Sequence, residues 1–162
     1  MSTFAKVNLG LRAFFQSLAP VEGGPMLPVA VAKSFSNGTG SWQITDAAQK
    51  QYSLAGSATQ VLDLQAVTDP DGVACTFVEM RAIIVEVSGA NVTFEQGATN
   101  PYAGLINGTT DAIVIPAGST YVILTPTDGS NVVSASAKDM LFTNLSSTAT
   151  ATVTVTLLGC NA

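Results

Sequence analysis

The 162-residue chain contains no histidine. That absence removes Ser-His-Asp and Cys-His catalysis and every histidine metal site. The nucleophile-elbow motif, the P-loop and the dinucleotide-binding glycine fingerprint are also missing from the sequence. What remains for catalysis is a carboxylate pair, and Asp69 and Asp71 in one turn, with Asp111 or Asp128 near, are the candidates. A turn aspartate ordinarily caps backbone N–H groups, with a Ca²⁺ site as the alternative. The expectation is therefore a protein that is not an enzyme and uses no cofactor.

Charge is scarce. Only 10% of residues are Asp, Glu, Lys or Arg, against roughly 25% in ordinary soluble proteins. A free monomer usually covers itself with such side chains. Threonine, serine, asparagine and glycine take their place here. Two readings fit: a Thr/Ser-surfaced β domain of the kind common in secreted or viral proteins, or a surface covered by partner subunits, whose interface cores are depleted of charge. The few charges are unevenly placed. Residues 1–50 hold Lys6, Arg12, Lys33 and Lys50 against Glu22 and Asp46, a net +2, and residues 51–162 hold Arg81 and Lys138 against nine carboxylates, a net −7. An acidic body argues against a nucleic-acid surface.

Long apolar runs are missing too. Residues 29–32 and 82–85 are among the longest, far short of the roughly 20 a membrane-spanning helix needs. No membrane association is expected, and no signal peptide is read at the N-terminus, so synthesis in the cytoplasm is expected. The two cysteines, Cys75 and Cys160, make no disulfide framework. Buried free thiols are expected, with a bridge between them as the alternative. The four N-x-S/T sites (Asn37, Asn91, Asn107, Asn144) read as asparagine turns before glycan sites.

What the chain does have is alternation. In residues 148–158, TATATVTVTLL, Val153, Val155 and Leu157 alternate with Thr152, Thr154 and Thr156. Period two with β-branched residues on both faces predicts a strand. It is expected to be a late, central strand with one face in the core. The threonine face suits solvent or a polar contact with another chain.

Residues 1–19 alternate as a strand (Val7, Leu9, Leu11, Ala13, Phe15) but also fit a helical face. Gly10 weakens the helix by about 1 kcal/mol relative to alanine, which favours an extended arm. Prolines and Gly23-Gly24 make residues 20–28 a linker. The expected organisation is an arm and linker over 1–28 and a β-sandwich domain over 29–162. A hairpin is expected around Asn37-Gly38-Thr39-Gly40, with Trp42 and Ile44 on its return strand. Residues 46–59 read as polar, anchored by Tyr52 and Leu54. Strands are predicted at 60–64, 81–88, 92–95, 112–115, 120–124, 132–135, 140–144 and 150–158, with a single helical turn at 77–80. Residues 81–88 and 92–95 read as a hairpin. A tight turn is predicted at Pro116-Ala117-Gly118-Ser119, and a long loop carrying Tyr102 over 96–110. About eight strands with turns between them predict an all-β, antiparallel β-sandwich, jelly-roll-like. Trp42 reads as a core or interface anchor, with a sugar platform formed by Trp42 and Tyr102 as the alternative. Arg81 beside Glu79 reads as a structural ion pair or interface anchor.

The runs YSLAGSATQVLDLQAV (52–67), FVEMRAIIVEVSGANVTFEQGATNPYAGLINGTTDAIVIPAGSTYVILTPTDG (77–129) and TVTVTLLG (152–159) resemble small β-sandwich virion proteins of tailed bacteriophages. The segment KSFSNGT (33–39) resembles them more weakly. The resemblance implies a capsid decoration, or cement, protein of the virion surface, often a homotrimer, with the major capsid protein as partner. The partner-binding residues expected are Val7, Leu9, Leu11, Arg12, Phe14 and Phe15 of the arm, with Trp42 and Tyr102. The arm is expected to add to a sheet edge or groove of a neighbouring subunit. The alternative is a receptor- or carbohydrate-binding module of a tail fibre or spike.

Overall fold

A computed structural model describes residues 35–102, 111–125, 127 and 131–161. The chain divides into two compact units, Met1–Ser36 and Asn37–Ala162. The arm and linker read at 1–28, with Val7, Leu9, Leu11, Arg12, Phe14 and Phe15, lie outside the described residues.

Among the described residues twelve strands run in order: β1 Ser36–Asn37, β2 Gln43–Ile44, β3 Asp46–Leu54, β4 Thr59–Asp63, β5 Val67–Thr68, β6 Ala74–Cys75, β7 Glu79–Ser88, β8 Val92–Gln96, β9 Ala112–Ile115, β10 Thr120–Leu124, β11 Asp139–Asn144 and β12 Ala151–Cys160. Eight of them form two four-stranded antiparallel sheets, β10-β7-β12-β3 and β4-β11-β8-β9. Taken along the chain, first pairs with last: β3 with β12, β4 with β11, β7 with β10, β8 with β9. The chain is thus one long antiparallel ribbon, folded over so that β12 also pairs with β7 and β11 with β8. That is the jelly roll, two Greek keys sharing one core. The connection from β8 to β9 is the long loop read from the sequence, of which residues 103–110 lie outside the described residues.

The core follows from alternation. Val153, Val155 and Leu157 of β12 are fully buried, opposite Val87, Val85 and Ile83 of β7. The facing sheet contributes Leu62, Met140, Phe142, Phe94 and Val92. Phe94 and Phe142 are cross-strand partners, stacked with centroids 5.3 Å apart, and Tyr121 tilts onto Phe94 at 6.5 Å. Such aromatic pairs add to sheet stability beyond their burial. The late, central strand read from the sequence is β12, flanked by β7 and β3.

Several expectations need correction. β7 and β8 are not a hairpin, because they lie in different sheets. An inward alternation is the same whether the next strand lies beside it or across the sandwich, so periodicity cannot separate the two. The crossing is made at Gly89, whose φ of 84° favours glycine. A Cβ there would also collide with the carbonyl of Thr150. Residues 77–80 form no helical turn. Phe77 and Met80 are fully buried, and the N–H groups of Val78 and Met80 donate to Cys160 and Asn131 carbonyls at 2.8 and 3.0 Å. Residues 132–135 make isolated bridges, Val132 with Glu79 and Ser134 with Ala137, in place of a strand. The polar stretch from residue 46 is a nine-residue edge strand, β3.

Candidate functional surface

Of the candidate aspartates, Asp69 is structural, and Asp128 lies outside the described residues. Asp69 Oδ1 accepts from Val73 N at 2.7 Å, and its carbonyl accepts from Gly72 N at 3.1 Å. Gly72 takes a φ of 82°. Together they close the β5–β6 ribbon, as the Asp-Pro-Asp-Gly sequence indicates. Among the described residues, no three His, Cys, Asp or Glu side chains group as a metal site. None of the described helical segments is long and apolar enough to cross a membrane.

Arg81 is fully buried at one end of the sandwich. Its Nη2 meets Glu79 Oε2 at 2.7 Å and donates to Thr39 O at 2.7 Å, and Nη1 donates to Thr127 O at 2.7 Å. One guanidinium therefore ties β7, the turn before β2 and the segment after β10. The planar fork suits three acceptors in different directions, which a lysine could not serve. Of the readings offered for Arg81, this is the structural ion pair.

Trp42 is half-buried, in a turn with a φ of 59°. Tyr102 lies inside: it is 2% exposed and its hydroxyl donates to Asn131 O at 3.5 Å. Its ring is part of the core, not a surface platform.

The asparagines divide. Asn144 is 2% exposed. Its Nδ2 donates to the carbonyls of Leu54, Ala55 and Ala149 at 2.9, 3.0 and 2.8 Å, and its Oδ1 accepts from Ser146 N at 2.9 Å. Asn91, exposed, accepts from Ala117 N through Oδ1 at 2.9 Å and so fastens the β7–β8 crossing to the Pro116–Ser119 turn. A glycan on Asn144 is incompatible with the folded state. Sequence reading found these positions as turn formers but missed Asn144 as a buried connector, since one Asn codon looks like another.

Both cysteines are free and buried. Burial, with Asp46 and Asp69 adding repulsion, raises the Cys75 thiol from 9.0 to about 11. Burial, then Glu79, raises the Tyr102 phenol, and burial raises Tyr52. The hydrogen bond to Asp63 raises Lys138. Each group holds its proton more tightly folded than unfolded. Between pH 9 and 11 the unfolded chain has lost the Cys75 proton while the folded one keeps it, so stability falls as pH rises. Tyr102, Tyr52 and Lys138 extend the loss upward in pH. The urea midpoint is expected to fall steadily from pH 9 to 11, and the Cys75→Ser variant to lose the lower part of that slope. A midpoint flat over this interval contradicts the assignment.

The outer face of the β10-β7-β12-β3 sheet carries a polar ladder. Gln49 Nε2 donates to Thr156 Oγ1 at 3.1 Å, and Gln51 Nε2 to Thr154 Oγ1 at 3.2 Å. Around this ladder the register places Ser53, Thr152, Ser88, Thr120, Ile84, Val122, Leu124 and Ala82. At the outward positions of these four strands Glu86 is exposed, while Glu79, opposite Cys160 beyond the register shift of β7 and β12, is paired with Arg81. The opposite sheet shows Val61 and Val114, 47% and 54% exposed, around Glu95, which accepts from Thr93 at 2.8 Å and Thr143 at 3.5 Å.

No family model matches the chain, and no curated protein does. Solved structures are similar only distantly. PRD1 vertex protein P5 aligns at 16% identity with a TM-score of 0.41, over 73% of this chain and 99% of that one. A de novo designed double-stranded β-helix aligns at 8% identity and 0.36, over 65% and 94%. An oxalate oxidase aligns at 16% identity and 0.39, over 70% of this chain but 42% of the oxidase. Likeness at this level assigns no activity or partner, and the jelly roll stands on the strand order of the chain itself.

Proposed function

We propose that the protein is a non-enzymatic structural component of a tailed-bacteriophage virion, a head decoration protein that binds the outer surface of the capsid. The observation that carries this reading is the outer face of the β10-β7-β12-β3 sheet. It is regular, built of threonine, glutamine, serine and aliphatic side chains, and Glu86 is its one charge outside the Arg81–Glu79 pair. Surfaces that stay in water are ordinarily charged, whereas interface cores are depleted of charge. The sequence resemblance to phage virion proteins points the same way. Function in such a protein is adhesion. Apolar area contributes roughly 25 cal/mol per Å² buried, and many copies on one shell multiply a modest contact.

The test is reconstitution. Heads of the cognate phage lacking this protein are mixed with the purified chain and sedimented. Saturable binding at a fixed ratio to the major capsid protein, with a raised temperature of head disruption, is expected. No binding to heads, with binding to tails or host cells instead, would reassign it to the receptor-binding reading.

A further inference from the structure

β9 and β10 are the last strands on one side of the two sheets, joined only by the Pro116–Ser119 turn. Both edges therefore lie on the same flank of the sandwich. Residues 112–127, which make this whole flank, contain no charged side chain. The opposite flank is guarded: β3 carries Asp46 and Lys50, and Asp63 of β4 is paired with Lys138. Natural edge strands are ordinarily protected by lysine, proline or a bulge. β9 is short and ends against Pro116, but β10 has none of these, and its register with β7 is unbroken over five residues.

The hydrogen-bond phase of β10 is fixed by its neighbours. Thr125 N donates to Arg81 O, and Val87 N to Ser119 O. Antiparallel pairs alternate, so Tyr121 and Ile123 bond inward to β7. Thr120, Val122 and Leu124 turn their N–H and C=O groups outward. No strand covers them among the described residues.

We infer that β10 is a homodimer interface, pairing antiparallel with β10 of a second copy about a twofold axis at Val122. The outward groups are symmetric about that residue: Thr120 meets Leu124 of the copy, and Val122 meets Val122. The two sheets then continue as one. On the outer face Val122 and Leu124 cover their counterparts. Charge is what selects a second copy over another strand. Among the described residues of this sheet the carboxylate nearest to the axis is Glu86, opposite Thr120 and one strand inward. Three strand spacings and a four-residue offset put the two Glu86 residues about 20 Å apart, well beyond a Debye length of about 8 Å at physiological salt. The net-acidic bodies thus meet along their uncharged flank. This inference stands independently of the virion reading.

Size-exclusion chromatography with light scattering on the full chain tests it over a concentration series. The expected mass is twice the 16.5 kDa of the monomer, and Val122→Lys, which sets two ammonium groups at the axis, is expected to halve it with the thermal transition retained. Amide exchange on the wild type gives a second readout should that variant not fold. Thr120, Val122 and Leu124 are expected to be protected in concentrated solution and to lose protection on dilution, while Tyr121 and Ile123 stay protected. A strict monomer or a trimer overturns the inference. So does a dimer that survives Val122→Lys and is lost in Leu11→Lys, which would assign association to the N-terminal segment, or exchange at the three outward amides that ignores concentration.

Discussion

Arg81→Ala is expected to destabilise the protein by about 3–5 kcal/mol, the range for removing one partner of a buried ion pair. Three acceptors lose their donor at once: Glu79 and the carbonyls of Thr39 and Thr127. The side chain of Glu79 is 15% exposed, so water reaches it only in part. The two carbonyls belong to separate loops that the guanidinium holds against β7, and both are expected to loosen. Arg81→Lys keeps the charge but lacks the fork, and an intermediate loss is expected. Urea unfolding measures both. A loss under about 1 kcal/mol for the alanine variant would show that the end of the sandwich closes without this contact.

Asn144→Leu carries the second large effect. The side chain sits at the end of β11 and is 2% exposed. Leucine matches it in branching and heavy-atom count, though it is bulkier, and it cannot donate to Leu54, Ala55 or Ala149, nor accept from Ser146. Each buried group left without a partner costs about 1–3 kcal/mol. With partial relaxation, a total loss of about 3–4 kcal/mol is expected, since the groups share one pocket and do not add fully. Asn144→Asp is expected to be as damaging, because it turns an oxygen toward carbonyls where an NH₂ had been. Retention of the wild-type urea midpoint in either variant contradicts the role given to Asn144.

The all-β class and most strand positions were legible because the strands that form the core alternate strongly. Val153, Val155 and Leu157 announce β12, and Ile83, Val85 and Val87 announce β7. β3 was not legible. Its period two is present, with Ala48 and Leu54 buried and Gln49, Gln51 and Ser53 exposed. Alanine, glutamine and lysine have low strand propensity, and only pairing along β12 makes them a strand. The hairpin assigned to residues 81–95 failed for a different reason. Pairing partners in a jelly roll are set by contacts far apart in sequence, and local alternation carries no record of them. The flank formed by residues 112–127 was visible as two strands and a turn. That both are sheet edges follows only from the topology. Tyr102 looked like a surface ring because its loop is rich in glycine and asparagine, yet the core takes it.

The central claim is that this jelly roll is a head decoration protein, and an electron cryomicroscopy reconstruction of the virion that carries it tests that most directly. Density for two packed four-stranded sheets on the outer face of the capsid shell, repeated at equivalent lattice positions, is the result expected. Density for the same domain at the tail tip or along a fibre, with a bare shell, would contradict the account.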